Sequence, residues 1–77
     1  MQLNIKYFGS IAELTSCNEE QLEFQGTKIH EVLEKLFEKY PDLKIKDFQV
    51  AQNLEIVSKN SKIISGDIAL LPPFSGG

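Results

Sequence analysis

The sequence predicts an α+β domain: a mixed sheet of about five strands with one long helix across one face and one short helix. Three observations carry that expectation. Leu3, Ile5 and Tyr7 alternate with Gln2, Asn4 and Lys6, the period-two pattern of a strand with one buried face. Further on, Ile29, Val32, Leu33, Leu36, Phe37 and Tyr40 recur at the spacing of a single helix face. Ile68 to Leu71 is a short, wholly apolar run following the turn residues Ser65-Gly66-Asp67, as expected of a central strand buried on both faces.

Each element can be placed in chain order. After the first strand, Gly9 breaks the pattern, and Ser10-Ile11-Ala12-Glu13 has the capping-box form of a helix start, predicting a short helix through about Thr15. The polar stretch Ser16 to Glu20 reads as a connection to a second strand, Gln21-Leu22-Glu23-Phe24, which alternates again. Thr27 is the expected N-cap of the long helix, and Pro41 stops it. Its outer face carries Glu31, Glu34, Lys35, Glu38 and Lys39, a solvated surface on which Glu31 and Lys35 are spaced to support each other.

Asp42 to Asp47 reads as an irregular connection. Phe48 to Gln52 and Leu54 to Val57 flank Asn53, a residue that tolerates a turn, so this segment is either two short strands or one bent one. Lys59 to Lys62 is a polar loop. This order, strand, short helix, strand, long helix and then two or three strands, suggests an α+β roll of the ubiquitin-like, β-grasp kind.

Seventy-seven residues make one domain, close to the size at which a single core just suffices. Hydrophobic residues at 42% and charged residues at 25% are ordinary for a globular chain. The net charge is −3 and the lysines are scattered, which argues against nucleic acid as a partner. No apolar run approaches the roughly 20 residues that cross a membrane, and no signal-peptide pattern opens the chain, so the expected location is the cytoplasm. Cys17 is the only cysteine, which rules out an intramolecular disulfide, and no metal site is expected. A reactive thiol needs an electropositive setting and Asn18-Glu19-Glu20 beside it suggest the opposite, so Cys17 reads as structural. His30, the sole histidine, lacks partners for catalysis and reads as a surface or packing residue.

The chemistry is concentrated at the end, Leu70-Leu71-Pro72-Pro73-Phe74-Ser75-Gly76-Gly77. Prolines fix φ and cannot donate to a sheet ladder, so residues 72–77 are expected to project as a flexible tail. From Phe74 to Gly77 an extended chain reaches roughly 13 Å. Glycine at the last two positions removes every side chain near the α-carboxylate, and a narrow channel could admit it. A frayed end accounts for glycines but not for Pro-Pro-Phe directly before them, since an exposed aromatic is usually there to bind. The reading that follows makes the Gly77 carboxylate the reactive group. Another enzyme adenylates it, and sulfur transfer to the activated carboxyl yields a thiocarboxylate.

The same residues resemble the MoaD-type small subunit of molybdopterin synthase, over essentially the whole chain. Leu71-Pro72-Pro73-Phe74-Ser75-Gly76-Gly77 is similar to that family's closing pattern of an apolar residue, two prolines, a variable residue, Ser or Thr, and two glycines. Ser65-Gly66-Asp67-Ile68-Ala69 resembles its Gly-Asp-Glu-Val-Ala run, and Val50-Ala51-Gln52-Asn53 its Val-Ala-Val-Asn strand end. Lys6-Tyr7-Phe8-Gly9 followed by Ile11-Ala12-Glu13-Leu14 resembles its start. Ile68 stands where an acidic residue is common and Gln52 where an apolar one is common.

The resemblance implies a β-grasp fold and ATP-dependent adenylation of Gly77 by an E1-like, MoeB-type enzyme, with a sulfur donor protein supplying the sulfur. It also implies docking of the loaded tail into a MoaE-type large catalytic subunit, in a heterotetramer of two large and two small subunits. There sulfur would pass to cyclic pyranopterin monophosphate in molybdenum cofactor biosynthesis. Gly77 would carry the sulfur, Gly76 would keep the path slim, and Ser75 belongs to the same tail. Leu71, Pro72, Pro73 and Phe74 would line the apolar contact to the partner. This chain alone would bind no cofactor and show no turnover. Carriers for thiamine thiazole, which also end in Gly-Gly, and ubiquitin-like modifiers are the competing readings.

An aromatic anchor in the tail has a measurable consequence. Phe74→Ala should weaken binding to the partner by about 1 kcal/mol or more. Calorimetry checks this, and an unchanged affinity would make Phe74 bystander surface.

Overall fold

The computed structural model describes residues 1–73. Its elements run β1 (Gln2–Tyr7), α1 (Ser10–Thr15), β2 (Glu19–Glu23), α2 (Ile29–Lys39), a 3-10 turn (Pro41–Ile45), β3 (Gln49–Gln52), β4 (Glu55–Val57) and β5 (Asp67–Leu71). The five strands form one sheet in the order β2-β1-β5-β3-β4. β1 and β5 are parallel neighbours at its centre, and every other pair is antiparallel. This is the expected β-grasp arrangement of a mixed five-strand sheet with one long and one short helix.

Alternation divides the sheet into two unlike faces. Leu3, Ile5 and Tyr7 of β1, Val50 of β3, and Ile68 and Leu70 of β5 all point to one side. There they form a single core with Ile11 of α1, Leu43 of the 3-10 turn, and Ile29, Val32, Leu33 and Leu36 of α2. The helix residues are those whose spacing predicts the buried stripe, and the charged residues Glu34, Lys35, Glu38 and Lys39 face outward.

Several local expectations are revised. β5 is central, but only Ile68 and Leu70 are buried, while Ala69 and Leu71 are half-covered, so the strand is buried on one face only. A continuous apolar run suggests covering on both sides, yet among the described residues no helix covers the second face. Ser10 is the first residue of helix α1 and not its N-cap: the N-cap is Gly9, with no side-chain cap bond, so the Ser10–Glu13 box does not form. β2 begins at Glu19, two residues before the expected start at Gln21, because Lys6 pairs with Glu19 and Ile5 with Glu20. Phe24 falls outside the strand and turns into the core.

The N-cap of α2 is Lys28, not Thr27. The Glu31 carboxylate accepts hydrogen bonds from the Thr27 and Lys28 amides at 3.1 and 2.9 Å, capping the helix instead of supporting Lys35. Those two bonds hold its carboxyl below the ordinary range. Asp42 to Asp47, expected to be irregular, begins within the 3-10 turn, which drives Leu43 fully into the core. The segment around Asn53 is two strands, β3 and β4, joined by a tight hairpin.

Gln52, polar where an apolar residue would suit the buried face, is 3% exposed. Its amide nitrogen donates to the Lys62 carbonyl at 2.7 Å and its oxygen accepts from the Ile64 amide at 3.0 Å, so the buried amide holds the loop before β5 against the sheet.

A second polar cluster ties β2 to the end of α2. Glu20, with a side chain only 13% exposed, accepts from Lys39 Nζ at 2.6 Å and from the Tyr40 hydroxyl. The Cys17 thiol donates to the same carboxylate at 3.4 Å, giving the lone cysteine a structural place. Tyr7 meets the Tyr40 ring edge-on at 6.1 Å, and burial pushes both phenols well above their usual range. Burial on its own would raise the Glu20 carboxyl, but the hydrogen bonds from Lys39, Tyr40 and Cys17 outweigh it and hold it below its ordinary value.

A folded-state value below the unfolded one gives stability that is complete above the unfolded value and is lost as pH falls through the folded one. Glu20→Gln should therefore be less stable than the wild type at neutral pH, with the difference shrinking below the ordinary glutamate value of about 4.3. Urea unfolding at neutral and acidic pH checks this, and a difference independent of pH would contradict it.

Candidate functional site

The candidate site is the end of β5 and what surrounds its exit. β5 is clamped on both sides: by β1, through the pairs Asn4 to Asp67 and Tyr7 to Leu70, and by β3, through Gln49 to Leu71 and Gln52 to Ile68. The Phe8 amide adds a hydrogen bond to the Leu70 carbonyl at 3.1 Å. Whatever follows Leu71 is thus launched from the best-anchored strand of the sheet.

Of the residues expected in the tail, Leu71 ends β5 and is half-covered on the open face, Pro72 is half-covered, and Pro73 is exposed. Sheet pairing stops at Leu71, as two residues without an N–H require. Phe74, Ser75, Gly76 and Gly77 lie outside the described residues. His30 is exposed on the first turn of α2, remote in role from this exit. Among the described residues, no group of His, Cys, Asp and Glu is placed to hold a metal ion, and no helix is long and apolar enough to cross a membrane.

The open face of the sheet adds residues that sequence reasoning missed. One row across it reads Glu19, Lys6, Ala69, Ala51 and Ile56, by direct pairing of neighbouring strands. Small side chains at Ala69 and Ala51 make a floor, and Phe8, Leu71, Ile56 and Leu54 stand around it to form a shallow groove. Phe8, Ile56 and Leu54 are exposed apolar side chains, and Leu54 is fully so. The groove runs along β5 toward Leu71, so the apolar surface and the tail exit are continuous. Such a patch, rimmed by Lys6, Asp67 and Asn53, has the form of a protein contact surface.

Leu54 has a further peculiarity. The β3–β4 hairpin turns on Asn53 at φ 51° and Leu54 at φ 63°, the pair of left-handed conformations of a tight primed turn. Asparagine adopts this readily, whereas a leucine side chain is strained there. The signal was present in the sequence: an apolar residue beside Asn53, at a position where glycine is the usual choice.

A β-grasp sheet whose central strand runs out to Pro72 and Pro73 places the chain in the ubiquitin-like class of folds. The chain belongs to the ThiS family, whose model matches residues 5–77, and it is thus of the MoaD and ThiS kind of ubiquitin-like sulfur carrier. Among solved structures it is similar to SAMP1 from Haloferax volcanii, with a TM-score of 0.80 and 22% identity over 100% of both chains. A protein from Pyrococcus furiosus provisionally named molybdopterin converting factor, subunit 1, superposes with a TM-score of 0.86 at 21% identity, over 96% of this chain and 99% of that one. The small archaeal modifier protein 1 of Methanosarcina acetivorans gives 0.63 at 27% identity, over 99% and 96%.

The strain at Leu54 can be measured. Leu54→Gly should stabilise the domain by about 0.5 to 1 kcal/mol, since the side chain is exposed and glycine removes the left-handed penalty. A raised urea midpoint would show it, and an unchanged or lowered one would mean that the turn carries no such strain.

Proposed function

We propose that this chain is the sulfur-carrying small subunit of a molybdopterin synthase. In this reading a MoeB-type, E1-like enzyme spends ATP to adenylate the Gly77 carboxylate with release of pyrophosphate, and sulfide delivered by a sulfur donor protein displaces AMP from the mixed anhydride, leaving a thiocarboxylate. The loaded tail then enters the active site of a MoaE-type large subunit, where its sulfur passes to cyclic pyranopterin monophosphate. The observation that carries the reading is the closing run Leu71-Pro72-Pro73-Phe74-Ser75-Gly76-Gly77, set on a central strand at the edge of an apolar groove. Membership of the ThiS family supports the carrier role.

In this role the body docks and the tail delivers. Leu71, Ile56, Leu54 and Phe8 supply apolar area for the contact, and Pro72 and Pro73 stiffen the departure of the tail. Ordering a stiff segment costs less on binding than ordering a free one. The bare Gly76-Gly77 end then fits a channel too narrow for side chains. The acid, base and anion-binding groups of the transfer belong to the partners.

A second reading is protein modification, in which Gly77 forms an isopeptide with a target lysine. The similarity to two archaeal modifier proteins favours it. The fate of the carboxylate separates the two: conjugation enlarges the protein, while loading exchanges one oxygen for sulfur. Intact-mass spectrometry after incubation with ATP, a sulfur source and a MoeB-type enzyme should show that exchange at Gly77, followed by its reversal when the large subunit and pterin precursor are added. One residue appended after Gly77 should abolish loading while leaving the fold intact. Loading of the extended chain would overturn the carrier reading, and a conjugate ladder in place of the exchange would favour the modifier.

A further inference from the structure

The β1–α1 corner carries a feature that neither the tail sequence nor the groove explains. Gly9 has φ 55° and ψ −131°, the mirror image of an extended conformation, open only to glycine. A β-carbon built on it would lie 2.7 Å from Pro72 Cγ and 3.6 Å from Cδ. Those atoms belong to a ring fused to the backbone, so they cannot swing aside as the end of a flexible side chain would. A side chain at position 9 forces either the Pro72 ring or the Gly9 corner to shift. On the other side of the contact, the corner itself is held: Phe8 donates to Leu70 at 3.1 Å, and the Gly9 carbonyl accepts from the Glu13 amide at 3.3 Å in the first turn of α1.

The geometry points to Gly9 as a positioning residue for the tail: its bare α-carbon seats the ring of Pro72 and fixes the direction in which the chain leaves β5. This rests on the carrier reading for its consequence, because a fixed departure restricts the orientations from which Gly77 must find a partner's active site. It extends that reading to a residue at the opposite end of the sequence, acting through Pro72 and never touching the reacting carboxylate. Removing the ring and filling its seat should then produce the same defect, and each should mask the other.

The test uses the full chain as wild type, Gly9→Ala, Pro72→Ala and the double variant, each assayed for thiocarboxylate formation with ATP, a sulfur source and a MoeB-type enzyme. The expected result is a loss of kcat/KM on the order of tenfold in each single variant, with the double variant no worse than either, as coupled sites require. Residual dipolar couplings of the Cα–Hα bonds of Pro72 and Pro73 give a readout that needs no partner. In the wild type they should fit the alignment of the body, and in the variants they should be scaled down. Pro72→Ala leaves Gly9 untouched, so the proposal stays testable if Gly9→Ala does not fold. Wild-type kcat/KM in Pro72→Ala, additive losses in the double variant, or wild-type couplings already averaged would each overturn it. If the wild type itself fails to load, the carrier reading falls and the couplings alone decide whether Gly9 positions the tail.

Discussion

The parallel pairing of β1 with β5 is the constraint on which the rest of the structure depends. The first and last strands of the domain lie side by side at the centre of the sheet, so the whole intervening chain must close before the pair can form. That closure brings α2 down on one face and completes the core with Ile5, Tyr7, Ile68 and Leu70. It also means that the segment leaving β5 starts from a strand hydrogen-bonded on both edges.

The two faces of the sheet divide the labour. One is sealed by α2 and the 3-10 turn, and the other is left bare with an alanine floor and an apolar rim. Leaving Leu54 exposed in a left-handed turn costs stability that an asparagine or glycine would have spared. Strain of that kind is expected where a side chain serves something beyond the fold, and Leu54 stands at the far end of a groove that leads to the tail. The polar anchors work differently. Glu20, largely covered, and Gln52, buried, are both satisfied, and each fastens a piece of chain to the sheet: the end of α2 in one case, the loop before β5 in the other.

The periodic elements were legible in the sequence because their patterns reflect one-sided burial. β1 and α2 followed from spacing, and the central place of β5 from its continuous apolar run, although the burial on both faces that such a run suggests is not found. What failed were the ends and the second face. Gly9 replaced Ser10 as the cap of α1, and Lys28 replaced Thr27 at α2, since capping is decided by where the chain enters a helix from its neighbours. β2 extended back through Glu19 and Glu20 because its register is set by β1, with no apolar signal of its own. Ala69 and Leu71 looked buried, but burial of a second face depends on whether anything is packed there.

By itself, the sequence determined the class of fold and the make-up of its end: a run of apolar residue, two prolines, aromatic, serine and two glycines is a local property, readable without any long-range contact. Only the tertiary structure decided that Phe8, Ala51, Leu54, Ile56 and Ala69 share one surface with Leu71, and that Gly9 meets Pro72 across most of the chain's length. Those relations arise from strand register and from the closure of β1 on β5. Both depend on pairings between residues far apart in sequence, and no periodicity within a single segment encodes them.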